Sequence, residues 1–246
     1  MRETVTTAPG AASEDPRRGA RTLVEFAYEA MRQDILRGAL TPGERLRVEA
    51  LKDTYKVGAS TLREALTLLV GEALVTAEGQ RGFRVAPISL SDFEDGTRVR
   101  KLLELEALRE SIENGDDDWE AGVVASFHRL SKVEEQFKSQ DRASLSGEWE
   151  ERNRAFHAAL IAAAQSRWLN HFIDILYQQT ERYRRIALAG RAVNRDVHNE
   201  HLAIKEAALN RDAEEACRLS ELHIDRTFEA LSKMFQAEQG EEAAKR

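Results

Sequence analysis

Apolar residues recur every three or four positions along most of the 246-residue chain, a spacing typical of amphipathic helices. Near the start of the chain this pattern predicts a helix over 22–37 and a shorter helix over 48–55. A third helix is predicted to begin near Ser60, because a serine hydroxyl can accept a hydrogen bond from the first free backbone N–H groups of a helix.

A different pattern follows the third helix. Two short runs of apolar and β-favouring residues, 74–76 and 83–85, flank the polar, glycine-containing segment 77–82, and together they predict a β-hairpin. Three helices followed by a hairpin are typical of a winged helix-turn-helix, so we place such a domain at residues 21–88.

The remainder of the chain has a composition that favours helices. It contains no proline after Pro87 and is rich in Ala, Leu, Glu and Arg. A long helix is predicted to open at Ser89 and to stop near Gly115. Further helices are predicted over 117–139, 143–164, 166–189, 195–209 and 212–237. The predicted fold is therefore mainly α, with the winged head followed by an all-α helical bundle at 89–238.

The composition excludes several classes of protein. Residues 1–20 carry charged side chains and no apolar run, which indicates a disordered tail and not a signal peptide; residues 239–246 form a second predicted tail. The longest apolar runs fall well short of the roughly 18 residues that cross a bilayer. Because Cys217 is the single cysteine, no internal disulfide can form, and we expect a cytoplasmic protein.

The net charge of −7 argues against a nucleic-acid partner only until its distribution is considered. Of the 36 basic and 43 acidic side chains, 13 and 12 lie in residues 1–88, so 23 and 31 lie in the rest of the chain. The acidic excess belongs to the bundle, and a head that binds phosphates is compatible with the sequence.

Three segments of the head resemble the GntR family of bacterial transcription regulators. Residues 35–46 (ILRGALTPGERL) resemble the family signature, residues 60–66 (STLREAL) its recognition helix and residues 80–85 (QRGFRV) its wing. The resemblance implies that the head reads double-stranded DNA.

The bundle is similar to the FCD effector domain of the FadR subfamily. The similarity rests on residues 100–106, 153–157, 200–201 and 222–223. Within that subfamily, Asn153 together with the downstream Tyr183 and Arg184 is most similar to the VanR/CsiR branch.

The side chains near the start of the recognition helix are the expected readers of the major groove, where free backbone N–H groups also meet phosphate. Arg63 can bind a guanine bidentately, and Arg81 at the hairpin tip suits the minor groove or the DNA backbone. Taken alone, Arg63 is more simply explained by a surface ion pair with Glu64 or Asp53. The predicted DNA-binding residues are Arg45, Arg47, Ser60, Thr61, Arg63, Arg81 and Gly82.

A metal site is predicted inside the bundle. Asn153 and His157 are four residues apart and share a helix face, while His201 and His223 lie on two later helices. Three imidazoles and an oxygen donor from three helices would form a site of the zinc type, with nickel or manganese as alternatives. Spacing alone also fits hydrogen-bonded interior histidines; the resemblance to FCD domains implies that these positions are ligands. Many FCD domains carry Asp at position 153, so the neutral asparagine should hold a metal less tightly.

The resemblance also implies a small carboxylate effector. Arg100 stands where FCD proteins place an effector-binding arginine, although its spacing equally fits a surface pair with Glu104. Tyr183 and Arg184 are predicted to line the same pocket. The CsiR-like features suggest a C5 dicarboxylate such as glutarate or 2-hydroxyglutarate, and the VanR-like features suggest an aromatic acid.

These observations predict a homodimeric, ligand-responsive regulator, in this family usually a repressor, that binds a palindromic DNA operator. We expect no membrane partner, no catalytic residues and no enzymatic activity. Two alternatives stay open at this point. A metal-free regulator could respond to acyl-CoA, as in the FadR branch. A metal-dependent hydrolase could use three histidines to activate water, but it lacks an evident general base and leaves the head unexplained.

Overall fold

A computed structural model of the protein describes residues 22–136, 142–187 and 195–244. The predicted 1–20 tail and the predicted breaks between the helices 117–139 and 143–164 and between the helices 166–189 and 195–209 lie wholly or mostly outside these residues. The head comprises α1 (Leu23–Leu36), β1 (Arg45–Leu46), α2 (Val48–Tyr55), α3 (Ala59–Gly71), β2 (Val75–Ala77) and β3 (Phe83–Val85). The bundle comprises α4 (Leu90–Asn114), α5 (Asp117–Gln136), α6 (Arg142–Leu160), α7 (Arg167–Ala187), α8 (Val197–Leu209) and α9 (Ala213–Ala244). The predicted mainly-α fold is confirmed.

The head is a three-helix domain closed by a small antiparallel sheet of order β1-β3-β2. Its apolar core is fully buried at Met31, Leu62, Leu66 and Leu74. The hairpin pairs as predicted, with Val75 opposite Val85. The third strand, β1, was not predicted, because two residues are too short to show an alternating pattern.

The expected cap of α3 is wrong. The helix begins at Ala59, and Gly58 is its N-cap, in an extended conformation that offers no side-chain hydrogen bond. Ser60 therefore lies inside the first turn, with its side chain exposed beside the free N–H groups.

The bundle starts with a capped helix. The Ser89 side chain accepts a hydrogen bond from the Asp92 backbone N–H at 3.1 Å, so α4 begins where the sequence predicted. At the other end of the chain, α9 continues to Ala244, so residues 239–244 of the predicted 239–246 tail are helical. None of the helices in the described part of the chain is long and apolar enough to cross a membrane.

Helix α7 has a central position between the two domains. It packs against α4 and α9 of the bundle and also contacts α1 of the head. Its residues therefore face the interior of the bundle on one side and the head on the other, which matters for the site described next.

Candidate metal centre and effector cavity

Three histidines converge inside the bundle from three helices: His157 on α6, His201 on α8 and His223 on α9. One ligand atom from each lies within 4.8 Å of the others. The His157 ring centroid is 5.3 Å from both other rings, and the His201 and His223 centroids are 4.7 Å apart. The residues that the sequence placed on separate helices are thus brought to one point.

Polar atoms without partners surround this point. Asn153, one turn before His157, donates from Nδ2 to the Tyr177 hydroxyl at 2.7 Å, which leaves its Oδ1 buried with no hydrogen bond. Both ring nitrogens of His201 are also buried without a hydrogen bond. Because buried polar atoms are almost always satisfied, Asn153 Oδ1 and the His201 nitrogen that carries no proton need an explanation. Three imidazole nitrogens and an amide oxygen are a donor set that fits a divalent metal ion.

Two carboxylates orient the histidines from behind. His223 Nδ1 lies 2.9 Å from Glu200 Oε2, and this hydrogen bond requires the proton on Nδ1 because a carboxylate only accepts; Arg195 holds the same carboxylate with a 2.8 Å hydrogen bond to Oε1. The second carboxylate is Glu134 on α5: its Oε1 lies 3.4 Å from Nδ1 of His201. Carboxylates on the Nδ1 side direct the Nε2 atoms toward the centre, an arrangement typical of metal-binding histidines.

Burial sets the protonation state of the cluster. It lowers the pKa of His223 to about 3, against the opposing effect of the hydrogen bond to Glu200. Burial, together with the charges of the other two histidines, lowers the pKa of His157 well below its usual value. Burial raises the pKa of Glu200, but hydrogen bonds from Arg195 and His223 outweigh it and hold that pKa well below the usual value. At neutral pH the imidazoles of His157 and His223 are therefore neutral, as metal ligands must be.

Arg100 and Arg184, two of the predicted effector residues, both lie over the ring of Tyr177. Their guanidinium carbons are 4.8 and 5.1 Å from the centroid of the Tyr177 ring. Each is paired with a carboxylate: Arg100 Nε with Glu104 at 2.9 Å, and Arg184 with both oxygens of Glu150. The Arg100–Glu104 pair exists, but it is buried and not on the surface as one interpretation of the sequence had it.

A cavity of about 250 Å³ opens beside His157. Its apolar wall comes from α6, from the turn that follows α6 and from α7, and its polar groups include one arginine, two carboxylates and a tyrosine. The lining residues are Glu104, Arg154, His157, Ala158, Ile161, Ala162, Asn170, Ile173, Asp174 and Tyr177. Arg154 binds the Asp174 carboxylate across the cavity wall.

The structure corrects the predicted lining of this cavity, because Arg100, Tyr183 and Arg184 are not among its lining residues. Tyr183 lies elsewhere: its ring stacks on Phe93, and its hydroxyl donates to the Ser89 carbonyl at 3.1 Å. The tyrosine that lines the cavity is Tyr177, and helical periodicity could have found it. Tyr177 precedes Arg184 by seven residues and shares its face, whereas Tyr183 is turned about 100° away from Arg184. Arg154 carried no comparable signal.

The seven predicted DNA-binding residues lie on α3 and on the sheet edge and wing of the head. Ser60, Arg63, Arg45, Arg47 and Arg81 are exposed, and Thr61 and Gly82 are partly buried. Arg45 donates to the Arg81 carbonyl at 2.8 Å and so ties β1 to the wing tip. Gly82 has a φ of +93°, a backbone conformation that favours glycine.

Comparisons with known proteins agree on both domains. The family model for bacterial regulatory proteins of the gntR family matches residues 23–85, and the FCD domain model matches residues 95–226. The chain is 46% identical over 220 residues, 89% of each chain, to an uncharacterized HTH-type transcriptional regulator, BphR, of Paraburkholderia xenovorans strain LB400. It is 36% identical to the HTH-type transcriptional repressor GlaR of Escherichia coli K12, over 80% of this chain and 90% of that protein. The solved structure of E. coli McbR/YncC has a TM-score of 0.73 at 19% identity, covering 88% of this chain and 100% of that one, and so shares the fold.

Proposed function

The chain belongs to the gntR family of bacterial transcription regulators, with an FCD effector domain, and on that premise we propose a repressor controlled by a metal-dependent carboxylate site. Family membership makes it a DNA-binding regulator and not an enzyme. The finer proposal concerns three features that follow: the operator, the metal and the effector.

The operator is proposed to be a short palindrome bound by a homodimer. One small head offers few base contacts, so two heads related by a twofold axis are needed for specific binding. A DNase footprint on the promoter regions next to the gene tests this proposal. A protected palindrome about one or two helical turns long is expected; protection of a single unrepeated half-site contradicts the dimer.

The metal proposal is carried by one observation: three histidines converge at one point, next to the buried and unpartnered Oδ1 of Asn153. Asn153, His157, His201 and His223 would hold the ion, with zinc expected first and nickel or manganese as alternatives. A bound divalent ion supplies a positive charge at the end of the cavity, where it favours an anionic ligand.

Metal analysis of untagged protein purified without chelator tests this site. We expect about one metal ion per chain, and loss of that metal in a His157→Ala/His201→Ala double variant. His171→Ala is the matched control, because that histidine is exposed and lies away from the cluster. Metal content that is the same in the parent and the double variant would contradict the proposal.

The effector is proposed to be a small carboxylate that occupies the cavity. At about 250 Å³ the cavity lies below the range of sites that hold drug-sized ligands, which favours a small acid over a long-chain acyl-CoA. Its end near His157 is flanked by the buried Arg100, which adds positive charge from behind Glu104 and Tyr177.

Calorimetry of the zinc-loaded protein with glutarate, 2-hydroxyglutarate and benzoate tests the effector class. Replacing Arg100 alone would leave the buried Glu104 carboxylate unpaired, so we compare Arg100→Met/Glu104→Gln with Glu104→Gln. Only the double variant is expected to lose binding. Binding of oleoyl-CoA but of none of the three acids would support the metal-free alternative.

A further inference from the structure

Among the residues that the structure describes, hydrogen bonds join the head to the bundle, and no apolar cluster spans both domains. The large apolar cluster of the head draws its members from residues 24–85. Three hydrogen bonds connect α7 to the head and to the residue that follows β3. Gln178 accepts from Arg32, Gln179 donates to the Glu72 carbonyl, and Arg182 donates to the Ala86 carbonyl. Polar interfaces between domains of one chain are the kind that move most readily.

One of these residues also reaches the effector cavity. Gln178 is 3% exposed. Its Oε1 accepts a hydrogen bond from Arg32 Nε of the head at 3.2 Å, and its Nε2 donates to Asp174 Oδ2 at 3.0 Å. Asp174 lines the cavity, and its other oxygen is bound by Arg154, which lines the cavity too. A continuous chain of contacts therefore runs from the cavity wall to α1.

We infer that α7 transmits the state of the cavity to the DNA-reading head through Asp174, Gln178 and Arg32, with Gln178 as the positioning residue. The inference rests on the proposed function, because it takes the effector cavity as its input. This path connects the cavity to α1 through side-chain contacts, in addition to the covalent connection between β3 and α4.

The chemistry of the amide group explains how the signal passes. Asp174 holds the Nε2 end of Gln178, and this fixes the Oε1 end toward the guanidinium of Arg32. An anion in the cavity competes with Asp174 for Arg154 and so frees the Asp174 carboxylate to move. Once Asp174 no longer holds Nε2, the Gln178 amide can flip. Its N–H groups then face the N–H groups of the Arg32 guanidinium, and two donors form no hydrogen bond. Arg32, which also lies 3.6 Å from Glu72, then loses its tie to the bundle.

The neighbouring Gln179 is a natural control. Its Nε2 donates to the Glu72 carbonyl at 2.9 Å, so it also ties α7 to the head. The hydrogen bond that the structure describes for it reaches only the head, and Gln179 is not among the cavity residues. Replacing either glutamine by Met removes one contact with the head, but only the Gln178 change also cuts the link to the cavity.

The first experiment needs no ligand. Arg154→Ala removes the cation from Asp174 and so imitates a filled cavity. Hydrogen exchange of the α1 amides around Arg32 is measured in the full chain with and without this change, in the parent, Gln178→Met and Gln179→Met backgrounds. We expect Arg154→Ala to change these rates about threefold or more in the parent and in Gln179→Met, and less than about 1.5-fold in Gln178→Met. An equal change in all three backgrounds overturns the relay.

The second experiment uses glutarate as the probe and the footprinted operator as the readout. Glutarate is expected to shift operator affinity about tenfold in the parent and in Gln179→Met. Gln178→Met should bind glutarate in calorimetry and show no such shift; a retained shift overturns the relay. If glutarate fails to bind the parent, the proposed effector is wrong, and the ligand-free experiment alone then decides the relay.

A second variant covers the case in which Gln178→Met does not fold. Arg32→Lys keeps a positive charge beside Glu72 but lacks the Nε–H that donates to Gln178. In this background Arg154→Ala is expected to leave α1 exchange unchanged within about 1.5-fold. A full threefold response in Arg32→Lys would overturn the relay independently.

Discussion

The head and the bundle place their functional side chains in opposite environments. In the head, Arg63 and Arg81 are exposed on the outside of an apolar core. In the bundle, Asn153, His201 and Arg100 are 3%, 0% and 3% exposed. Function and fold are therefore separable in the head, whereas in the bundle the same buried polar residues serve both. A substitution of a functional residue should change DNA binding without changing stability in the head, whereas in the bundle it should change ligand binding and stability together.

Two arginine–carboxylate pairs show the difference most directly. In the head, Arg84 and Glu78 form a hydrogen-bonded pair whose side chains are 37% and 33% exposed. In the bundle, Arg184 and Glu150 form a pair whose side chains are 6% and 3% exposed. Water can replace a lost partner at the first pair but not at the second.

The largest expected effect is therefore on the buried pair. Glu150→Ala leaves the Arg184 guanidinium buried without its counter-ion and should lower the free energy of unfolding by about 3–5 kcal/mol, as judged by urea denaturation. Glu78→Ala in the head should have little effect in the same assay. Glu150→Ala/Arg184→Met should recover much of the loss, because it removes both charges. Equal stability of the two single variants would break the comparison.

The next effect belongs to the exposed side of the comparison. Arg63→Ala should cost about 1–3 kcal/mol of binding at one base position of the operator, while the unfolding free energy stays within about 0.5 kcal/mol of the parent. Arg81→Ala is expected to weaken binding more evenly across sequences. Binding titrations on single-base operator variants measure both. An Arg63→Ala protein that binds as tightly as the parent would remove Arg63 from base readout.

The same difference explains what could be predicted from the sequence. The helices of the head and its hairpin follow from local periodicity and turn residues, so their limits were close to those observed. The strand β1 and the Gly58 cap of α3 were missed because each depends on a conformation that two or three residues do not specify. Ser60 was chosen as the cap on residue type alone.

The polar contacts inside the bundle could be predicted from the sequence only in part. The three histidines were grouped because they resemble FCD ligand positions, and the spacing of 157, 201 and 223 does not itself require that they meet. Arg154, Asp174 and Gln178 carry no sequence signal, because an ion pair between α6 and α7 or a hydrogen bond to α1 appears only once the helices are packed. Sequence patterns thus predicted the secondary structure of this protein better than the polar contacts in its interior.

The buried histidines should also make the bundle sensitive to acid. In metal-free protein the folded pKa of His223 is about 3, below the roughly 6.5 of an unfolded histidine. Between these values the unfolded state binds a proton that the folded state does not, so stability falls as the pH falls below about 6.5. The slope should be about 1.4 kcal/mol per pH unit for each such histidine. Urea titrations of chelator-treated protein at about pH 7.5, 6 and 5, which bracket the unfolded pKa of roughly 6.5, test this sign. His223→Gln should flatten the slope, and a parent whose stability is constant over this range would contradict the assignment.

The smallest effect compares two serines that stand at predicted helix starts. Ser89 caps α4 through the Asp92 N–H at 3.1 Å, where the bundle begins. Ser60 lies within the first turn of α3 and caps nothing, because Gly58 holds that position. Ser89→Ala should therefore lower the free energy of unfolding by about 1 kcal/mol. Ser60→Ala should leave unfolding within about 0.5 kcal/mol of the parent but weaken operator binding, since its hydroxyl lies exposed at the DNA-reading end of the helix. Urea denaturation and operator titration of both variants measure the contrast, and a Ser60→Ala protein that loses stability without losing DNA affinity would reverse it.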